Sequence, residues 1–193
     1  MTRFEVIMNP TSERQNIENL KKRMGLNMAN YNLEEKDSFT VLGIGTELQS
    51  DYTDYAGINK EKTDFREAVM QDGRFDTLKA VSANDYIFAV NEAVNNKMMY
   101  YAGVMTEETV PEATRVIQFP KGEYLVVKGE GKTAEELSNT LAGIAFGQVL
   151  PESKDFAYVG GPNATVEMGQ RNGKVFGEMW IPVVRKLIGL ETL

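Results

Sequence analysis

Residues 164–181 read ATVEMGQRNGKVFGEMWI, two alternating segments joined by Asn172 and Gly173. A type I′ turn needs positive φ at both central residues, and Asn-Gly is the strongest short signal for it. The stretch therefore predicts a hairpin with a two-residue loop, in which Arg171 faces Lys174. Because the turn sets the register, the later cross-strand pairs follow by counting outward.

Counting from the turn predicts that Glu167 lies opposite Glu178 and that Thr165 lies opposite Trp180. Alternation then divides the hairpin into two faces. The first face carries two acids and two aromatic rings. Its residues are Thr165, Glu167, Gly169, Phe176, Glu178 and Trp180. The second face is apolar apart from Gln170 and is the predicted core, with Val166, Met168, Val175, Gly177, Met179 and Ile181.

Two carboxylates placed directly opposite each other destabilise a sheet unless water screens them, a proton binds, or a cation lies between them. Trp180 and Phe176 would add cation–π attraction of about 0.5–2 kcal/mol. This face therefore suits an organic cation, and we interpret it as the floor of a binding site. The alternative is an ordinary solvated face, which antiparallel sheets commonly have. A longer loop would also shift the register and separate Glu167 from Glu178.

The remainder of the sequence from residue 38 onward repeats one pattern twice, a strand, a helix and a hairpin. The first copy runs through a strand at 39–44, a helix that ends at Gly73, and a hairpin at 86–105 that turns at Asn95 and Asn96. The second runs through a strand at 115–128 broken near 120–122, a helix opened by the capping box of Thr133 and Glu136, and the hairpin at 164–184. Two such units predict one α+β domain of antiparallel strands over residues 38–193, with a ligand cleft between the halves.

Residues 1–37 differ from this pattern and are predicted to form an N-terminal extension. Within it, Ile17, Leu20 and Met24 share one side of an amphipathic helix over residues 12–24. Such a helix packs on its own domain, or it serves in dimerisation or as a handle for a partner. A helix-turn-helix would need further helices, so a DNA-binding head is not expected.

Composition excludes several kinds of chemistry. The 193 residues contain no cysteine and no histidine, which removes disulfides, thiol nucleophiles, Ser-His-Asp catalysis and nearly every catalytic zinc site. The formal net charge of −7 disfavours nucleic acid. We expect no metal and no cofactor. The sequence has no apolar run of about 18 residues, so we expect a soluble cytoplasmic protein that does not bind membranes.

Several short motifs resemble the GyrI-like family, also described as the effector-binding domain of AraC-type and MerR-type regulators. The closing strand, Gly177 to Val183 (GEMWIPV), is the most specific of them. The others are FPKGEY at 119–124, LPES at 150–153, VEM at 166–168 and YYAGV at 100–104. The likeness extends over about residues 38–184 and includes free-standing, integron-associated members.

The resemblance implies two strand–helix–hairpin units related by a pseudo-twofold axis around a ligand cleft. It implies that Glu167 is the pocket acid, that Glu178 is a second acid or its polar partner, and that Trp180 is the stacking wall. The ligand-binding residues predicted in all are Glu167, Glu178, Trp180, Phe176 and Tyr101. The family's usual Glu-x-Tyr is Glu167-Met168-Gly169 here, so one wall of the pocket lacks its tyrosine.

We therefore expect a free-standing binding protein for cationic or polar-aromatic small molecules, involved in drug sensing or sequestration, rather than an enzyme. Two other functions are compatible with the sequence. Some relatives hydrolyse reactive cyclopropane-bearing compounds, and pocket carboxylates of this chain would then act as general bases for water. The helix at 12–24 would instead be the handle of a protein-interaction or inhibitor module.

Overall fold

The computed structural model describes residues 31–186. Within that range the strands are β1 (Tyr31–Lys36), β2 (Phe39–Glu47), β3 (Ile87–Val94), β4 (Lys97–Met105), β5 (Arg115–Phe119), β6 (Gly122–Gly131), β7 (Phe156–Tyr158), β8 (Asn163–Arg171) and β9 (Lys174–Arg185). The helices are α1 (Tyr55–Gln71), α2 (Arg74–Ala80), α3 (Ala134–Ile144), a π-helical turn (Ala145–Val149) and the short α4 (Leu150–Glu152).

The antiparallel sheet confirms the predicted repeat. Its strand order is β1-β6-β9-β8-β3-β4-β2-β5, with β7 added beside β9. The order is symmetric about the β8–β3 junction. The first unit contributes β2, β3 and β4, and the second contributes β6, β8 and β9. In each unit, the first strand lies farthest from the junction, the third strand lies next to it, and the second strand lies at the junction. The two outermost strands extend the symmetry, since β1 pairs with β6 and β5 pairs with β2, each with the first strand of the other unit.

The sheet curls on one side, which we call the inner face. Phe39 on β2 and Trp180 on β9 are separated by three strands, yet their ring centroids lie 5.5 Å apart. The inner face encloses a core that draws apolar side chains from both halves, including Phe88, Phe119 and Tyr124. The opposite side, which we call the helix side, carries α1 and α2 over the first unit and α3 over the second.

Local signals in the sequence explain where the helices and hairpins begin and end. The Asp54 side chain accepts a hydrogen bond from Gly57 N at 3.0 Å and caps α1. Thr133 accepts from Glu136 N at 3.1 Å and caps α3 as predicted. The two hairpins turn at Asn95–Asn96 and Asn172–Gly173, and all four residues have the positive φ that a type I′ turn requires.

The predicted register of the last hairpin is right beside the turn and wrong beyond it. Arg171 pairs with Lys174, and Gly169 pairs with Phe176, but Glu167 pairs with Gly177 and not with Glu178. Met168 is an extra residue in β8, and Gly169 adopts a φ of 153°, so a β-bulge interrupts the alternation. Beyond the bulge, Val166 lies opposite Glu178 and Ala164 opposite Trp180.

The bulge corrects the assignment of the two faces. Glu167 and Thr165 lie on the helix side, where the Thr165 and Ser138 hydroxyl oxygens are 3.0 Å apart. Glu178, Trp180 and Val166 lie on the inner face. The prediction that Glu167 shares a face with Glu178 and Trp180 is therefore wrong.

Some elements were not predicted. Residues 31–36, assigned from the sequence to the N-terminal extension, form β1 and pair with β6. A short helix, α2, follows Gly73, and helical structure continues through the π-helical turn to Glu152, past Pro151. The predicted helix at 12–24 lies outside the described residues. Across 31–186, no helix has the length and apolarity needed to cross a membrane.

Candidate functional site

A cleft of about 190 Å³ opens on the helix side between α1 and α3. Its floor is formed by Ala89, Tyr100 and Glu167, from β3, β4 and β8. One wall is a polar stripe along α1 at helical spacing, formed by Asn59, Lys62, Thr63, Arg66 and Glu67. The other wall is the first turns of α3, with Thr133, Ala134, Glu135, Ser138 and Asn139.

Glu167 is the buried acid of this cleft, with 8% of its surface exposed. Arg66 holds both of its oxygens. The guanidinium Nη1 lies 2.6 Å from Oε1 and Nη2 lies 2.7 Å from Oε2. Burial raises the pKa of the Glu167 carboxyl, and the Arg66 charge opposes that rise. A buried carboxylate of this kind requires a cation or a donor, and in this structure the chain's own Arg66 supplies it.

Lys62 is a second cationic side chain in the cleft, one helical turn before Arg66. Its Nζ donates to Asn91 Oδ1 at 2.6 Å and lies 5.5 Å from the centroid of the Tyr100 ring. Burial lowers the pKa of the Lys62 ammonium to about 8. At neutral pH, the uncharged amine is therefore a larger fraction of Lys62 side chains than of ordinary lysine side chains.

Tyr100 forms the aromatic part of the floor. It is 5% exposed, and its ring meets that of Phe65 edge-on at a centroid distance of 6.2 Å. Burial raises the pKa of its hydroxyl. Tyr100 and Tyr101 are neighbours on β4, so they point to opposite faces, and the one in the cleft is not the tyrosine that was predicted to bind ligand.

The other four predicted binding residues lie on the inner face. Trp180 is 7% exposed and meets Phe39 and Phe88 edge-on, with ring centroids 5.5 and 5.7 Å away. Its indole Nε1 donates to Glu178 Oε2 at 2.7 Å. Tyr101 is buried against Gly45, where a Cβ would lie 2.1 Å from the ring.

Phe176 lies nearer the turn end of β9, beneath the guanidinium of Arg171. The Arg171 Cζ is 5.3 Å from the centroid of the Phe176 ring. Trp180 and Glu178 do lie together with a cation, as their residue types suggested. The cation is again the chain's own: Lys36 Nζ lies 4.0 Å from the Trp180 centroid, and Lys128 Nζ lies 3.2 Å from Glu178 Oε1.

The structure thus brings Glu178 and Trp180 together and separates them from Glu167 by the thickness of the sheet. Sequence reasoning did not identify Arg66, Lys62, Tyr100 or Ser138 as site residues. A signal for the first two was present. Among the described side chains of the 17-residue α1, Val69 alone is fully buried, and polar residues at positions 59, 62, 63, 66 and 67 follow one face. A helix that packs on a sheet normally turns an apolar face there, so this polar stripe marks a cleft.

A family model described as "Integron-associated effector binding protein" matches residues 32–183. The chain belongs to this family. Membership confirms the resemblance drawn from the closing strand and identifies a small-molecule-binding protein of α+β fold. Among curated proteins, none matches the sequence significantly.

Solved structures support the fold. SAV2435, in a structure bound to tetraphenylphosphonium, is 17% identical with a TM-score of 0.66, over 80% of this chain and 93% of that one. The integron cassette protein VCH_CASS2 of Vibrio cholerae is 9% identical with a TM-score of 0.53, over 80% and 96%. EcmrR, from a complex with DNA, is 12% identical with a TM-score of 0.56, over 90% and 64%.

Proposed function

We propose that the helix-side cleft is the effector site and that it binds a cationic or polar-aromatic small molecule. Glu167 is the group that recognises the positive end of the ligand, and Tyr100 is the flat surface beneath it. The observation that carries this proposal is the burial of the Glu167 carboxylate on the cleft floor with Arg66 as its ion-pair partner. SAV2435, a protein of the same fold, has been seen with tetraphenylphosphonium, an organic cation, which supports this ligand class.

Binding of a cation proceeds by exchange with Arg66. Removing Arg66 alone would leave a buried charge without a partner, which is strongly unfavourable. A ligand cation replaces the guanidinium at Glu167 as Arg66 moves away. The exposed carboxylates Glu67 and Glu135 line the same cleft and provide negative potential for the released side chain. Affinity is therefore the difference between the two cations' interactions with Glu167.

A polar-aromatic ligand without charge uses the cleft differently. It leaves the Arg66–Glu167 pair in place and lies against Tyr100, with hydrogen bonds to Ser138 or Asn59. Substitution of Arg66 by Met separates the two ligand types. At a pH at which Glu167 is ionised, a cation binds the variant more tightly because its competitor is gone, whereas a neutral ligand held by Tyr100, Ser138 or Asn59 binds with nearly unchanged affinity.

The biological output that fits such a site is drug sensing or sequestration in the cytoplasm. A cleft that holds its own counterion when empty discriminates against small inorganic cations, since these cannot fill the aromatic floor. It admits organic cations of varied shape, since much of their binding comes from apolar contact and one charge.

The decisive experiment compares Glu167→Gln with Glu178→Gln. Tetraphenylphosphonium is titrated by calorimetry, and rhodamine 6G by fluorescence polarisation. We expect Glu167→Gln to weaken binding at least about ten-fold, or about 1.4 kcal/mol, and Glu178→Gln to change it less than about two-fold. The second variant is a matched control, because it removes the same charge from the opposite side of the sheet.

The reverse result would contradict the proposal and place the site on the inner face, beside Glu178 and Trp180. Equal, small effects of both variants would remove both acids from recognition and contradict the proposal. Melting curves of both variants at the titration pH establish that the fold is retained.

A further inference from the structure

Two lysines on α1, two residues apart, have different surroundings. Lys60 is exposed, with 74% of its side-chain surface accessible, and it forms an ion pair with Asp64. Lys62 faces the cleft, and within residues 31–186 no carboxylate oxygen lies within 4.0 Å of its Nζ. Its hydrogen-bond partner is the neutral amide oxygen of Asn91, at 2.6 Å. An ammonium without a counterion, held beside a ligand cavity, is unusual for a purely structural lysine.

We propose that Lys62 is a nucleophile that captures aldehydes in the cleft as reversible imines. The proposal rests on the proposed function for the location of the ligand, and it adds a covalent step and a substrate class. The geometry that supports it is the position of Nζ on the cleft wall, its anchoring by an acceptor that carries no charge, and the Tyr100 ring 5.5 Å away.

The protonation state of Lys62 agrees with this role. Burial lowers its pKa to about 8, whereas the carboxylate of Asp64 raises the pKa of Lys60. The charged or titratable groups that line the cleft around Lys62 are Arg66 on α1, Glu167 on β8, Tyr100 on β4, and the rim acids Glu67 and Glu135. At pH 7.5, the free-amine fraction of Lys62 is therefore much larger than that of an ordinary lysine, which is about one in a thousand. A desolvated lysine amine is the form that attacks carbonyl carbon.

The reaction balances with water as its single by-product. The amine lone pair adds to the aldehyde carbon, the carbonyl π electrons move to oxygen, and one N–H proton is transferred to that oxygen. The resulting carbinolamine loses its hydroxyl together with the second N–H proton as water, which leaves a C=N bond to Lys62. Water reverses both steps, so capture is an equilibrium and needs no oxidant or reductant.

Asn91 and Tyr100 define which aldehydes fit. Asn91 Oδ1 accepts one N–H, which holds the amine in place, and Asn91 is itself fixed because its Nδ2 donates to Asn163 Oδ1 at 3.1 Å. The Tyr100 ring offers an aromatic aldehyde a surface on which to stack. We therefore expect aryl aldehydes to react more selectively at Lys62 than short aliphatic ones.

The test is reductive trapping. The full chain is incubated with propanal or benzaldehyde and sodium cyanoborohydride at pH 7.5, and the modified lysines are mapped by tryptic mass spectrometry over time. We expect Lys62 to be modified at least about ten-fold faster than Lys60, and the ratio to be larger with benzaldehyde. The ratio is expected to fall above about pH 9, as ordinary lysines begin to lose their protons. Modification of Lys62 at the rate of Lys60 with both aldehydes overturns the proposal.

Lys62→Arg is the control variant, because it keeps a cation in the cleft but cannot form the imine. Labelling of other lysines must be unchanged in it, and Lys62→Met serves the same purpose if the arginine variant does not fold. The trapping and dye-binding experiments distinguish failure of the imine proposal from failure of the effector proposal. If Glu167→Gln abolishes dye binding but Lys62 reacts like Lys60, the imine proposal fails and the site stands. If Lys62 is selectively trapped but dye binding ignores Glu167, the effector proposal fails and the nucleophile stands.

Discussion

Each side of the sheet holds an acid that is neutralised by a cationic side chain, but the two acids differ in their surroundings. On the helix side, Arg66 binds both carboxylate oxygens of Glu167 at the floor of a cleft. On the inner face, Glu178 is held by Trp180 and by the half-exposed Lys128, and Lys36 covers the indole. Each acid has a partner from its own chain. The difference is that the first pair borders an open cavity, whereas Trp180 is packed among Phe39 and Phe88. An acid and an aromatic ring therefore mark a ligand site only where the core leaves room.

The largest expected effect on stability comes from disrupting the register of β8 and β9, which places Glu167 and Glu178 on opposite sides of the sheet. A Cβ at Gly177 would lie 2.0 Å from the Val166 carbonyl oxygen, a backbone atom that cannot move without disturbing the sheet. We expect Gly177→Ala to lower the free energy of unfolding by about 3 kcal/mol or more, measured by urea denaturation.

Gly143→Ala is the matched control for that substitution. Gly143 lies within α3, and a Cβ there would meet nothing within 4 Å. Alanine stabilises a helix by about 0.5–1 kcal/mol relative to glycine, so this variant is expected to be more stable than the wild type. Gly177→Ala with wild-type stability would show that the bulged register of β8 and β9 is not the one in solution.

The second expected effect contrasts the two cationic partners. Arg66→Met leaves a buried carboxylate unpaired and is expected to cost about 3 kcal/mol near pH 7, whereas Lys128→Met, at a half-exposed position, is expected to cost less than about 1 kcal/mol. The measurement is urea denaturation of both variants at several pH values.

The stability cost of Arg66→Met is expected to depend on pH, because Glu167 titrates differently in the folded and unfolded states. Burial raises the pKa of Glu167, so the folded state binds the proton more tightly than the unfolded state. The resulting contribution to stability is complete below the unfolded pKa of about 4.5 and is lost as the pH rises through the folded pKa. Without Arg66 that folded pKa is higher still, so the deficit of Arg66→Met should shrink as the pH falls. A deficit that is constant with pH would mean that Arg66 stabilises through packing alone.

Much of the fold was accessible from the sequence because its signals are local. Asn172–Gly173 fixes a turn, Thr133 and Glu136 fix a helix start, and the repeat of strand, helix and hairpin fixes the symmetric sheet. The bulge at Met168 was missed, although Gly169 inside a strand is a typical sign of one. Strand β1 was missed as well, and the symmetry of the repeat would have revealed it, because β5 occupies the equivalent place in the second unit.

The candidate site was less accessible because it depends on contacts between distant segments. Glu167 was identified from the predicted hairpin face and from the family resemblance, and it does lie in a cleft, although on the opposite side of the sheet from Glu178 and Trp180. Its partner Arg66 is 101 residues away in sequence, and no local pattern connects the two. Likewise, nothing local shows that Lys36 covers Trp180, which requires β1 to pair with β6 across the two units.

The third expected effect concerns Lys62, whose lowered pKa of about 8 makes the folded state release its proton before the unfolded state does. Between about pH 8 and pH 10.5 the unfolded state binds more protons, so the wild type gains stability as the pH rises through that window. We expect Lys62→Met to lose this gain, which is on the order of 1–3 kcal/mol. Difference curves of stability against pH provide the measurement.

Lys60→Met is the control and should parallel the wild type, since Lys60 is exposed and its pKa is raised instead. Parallel curves for all three proteins would mean that Lys62 is solvated.

The smallest expected effect is optical, because Trp180 is the single tryptophan of the chain and reports on the inner face alone. Tetraphenylphosphonium bound beside Glu167 lies across the sheet from the indole and should leave the wavelength of its emission maximum unchanged. Lys36→Met removes the ammonium from the indole ring, at a cost of about 1 kcal/mol or less, and should shift that emission without changing ligand affinity. A shift on ligand binding that Lys36→Met abolishes would instead place the ligand on the inner face. That result would reverse the assignment of the two sides, because the packed indole would then have to open for the ligand while the ready-made cleft stayed empty.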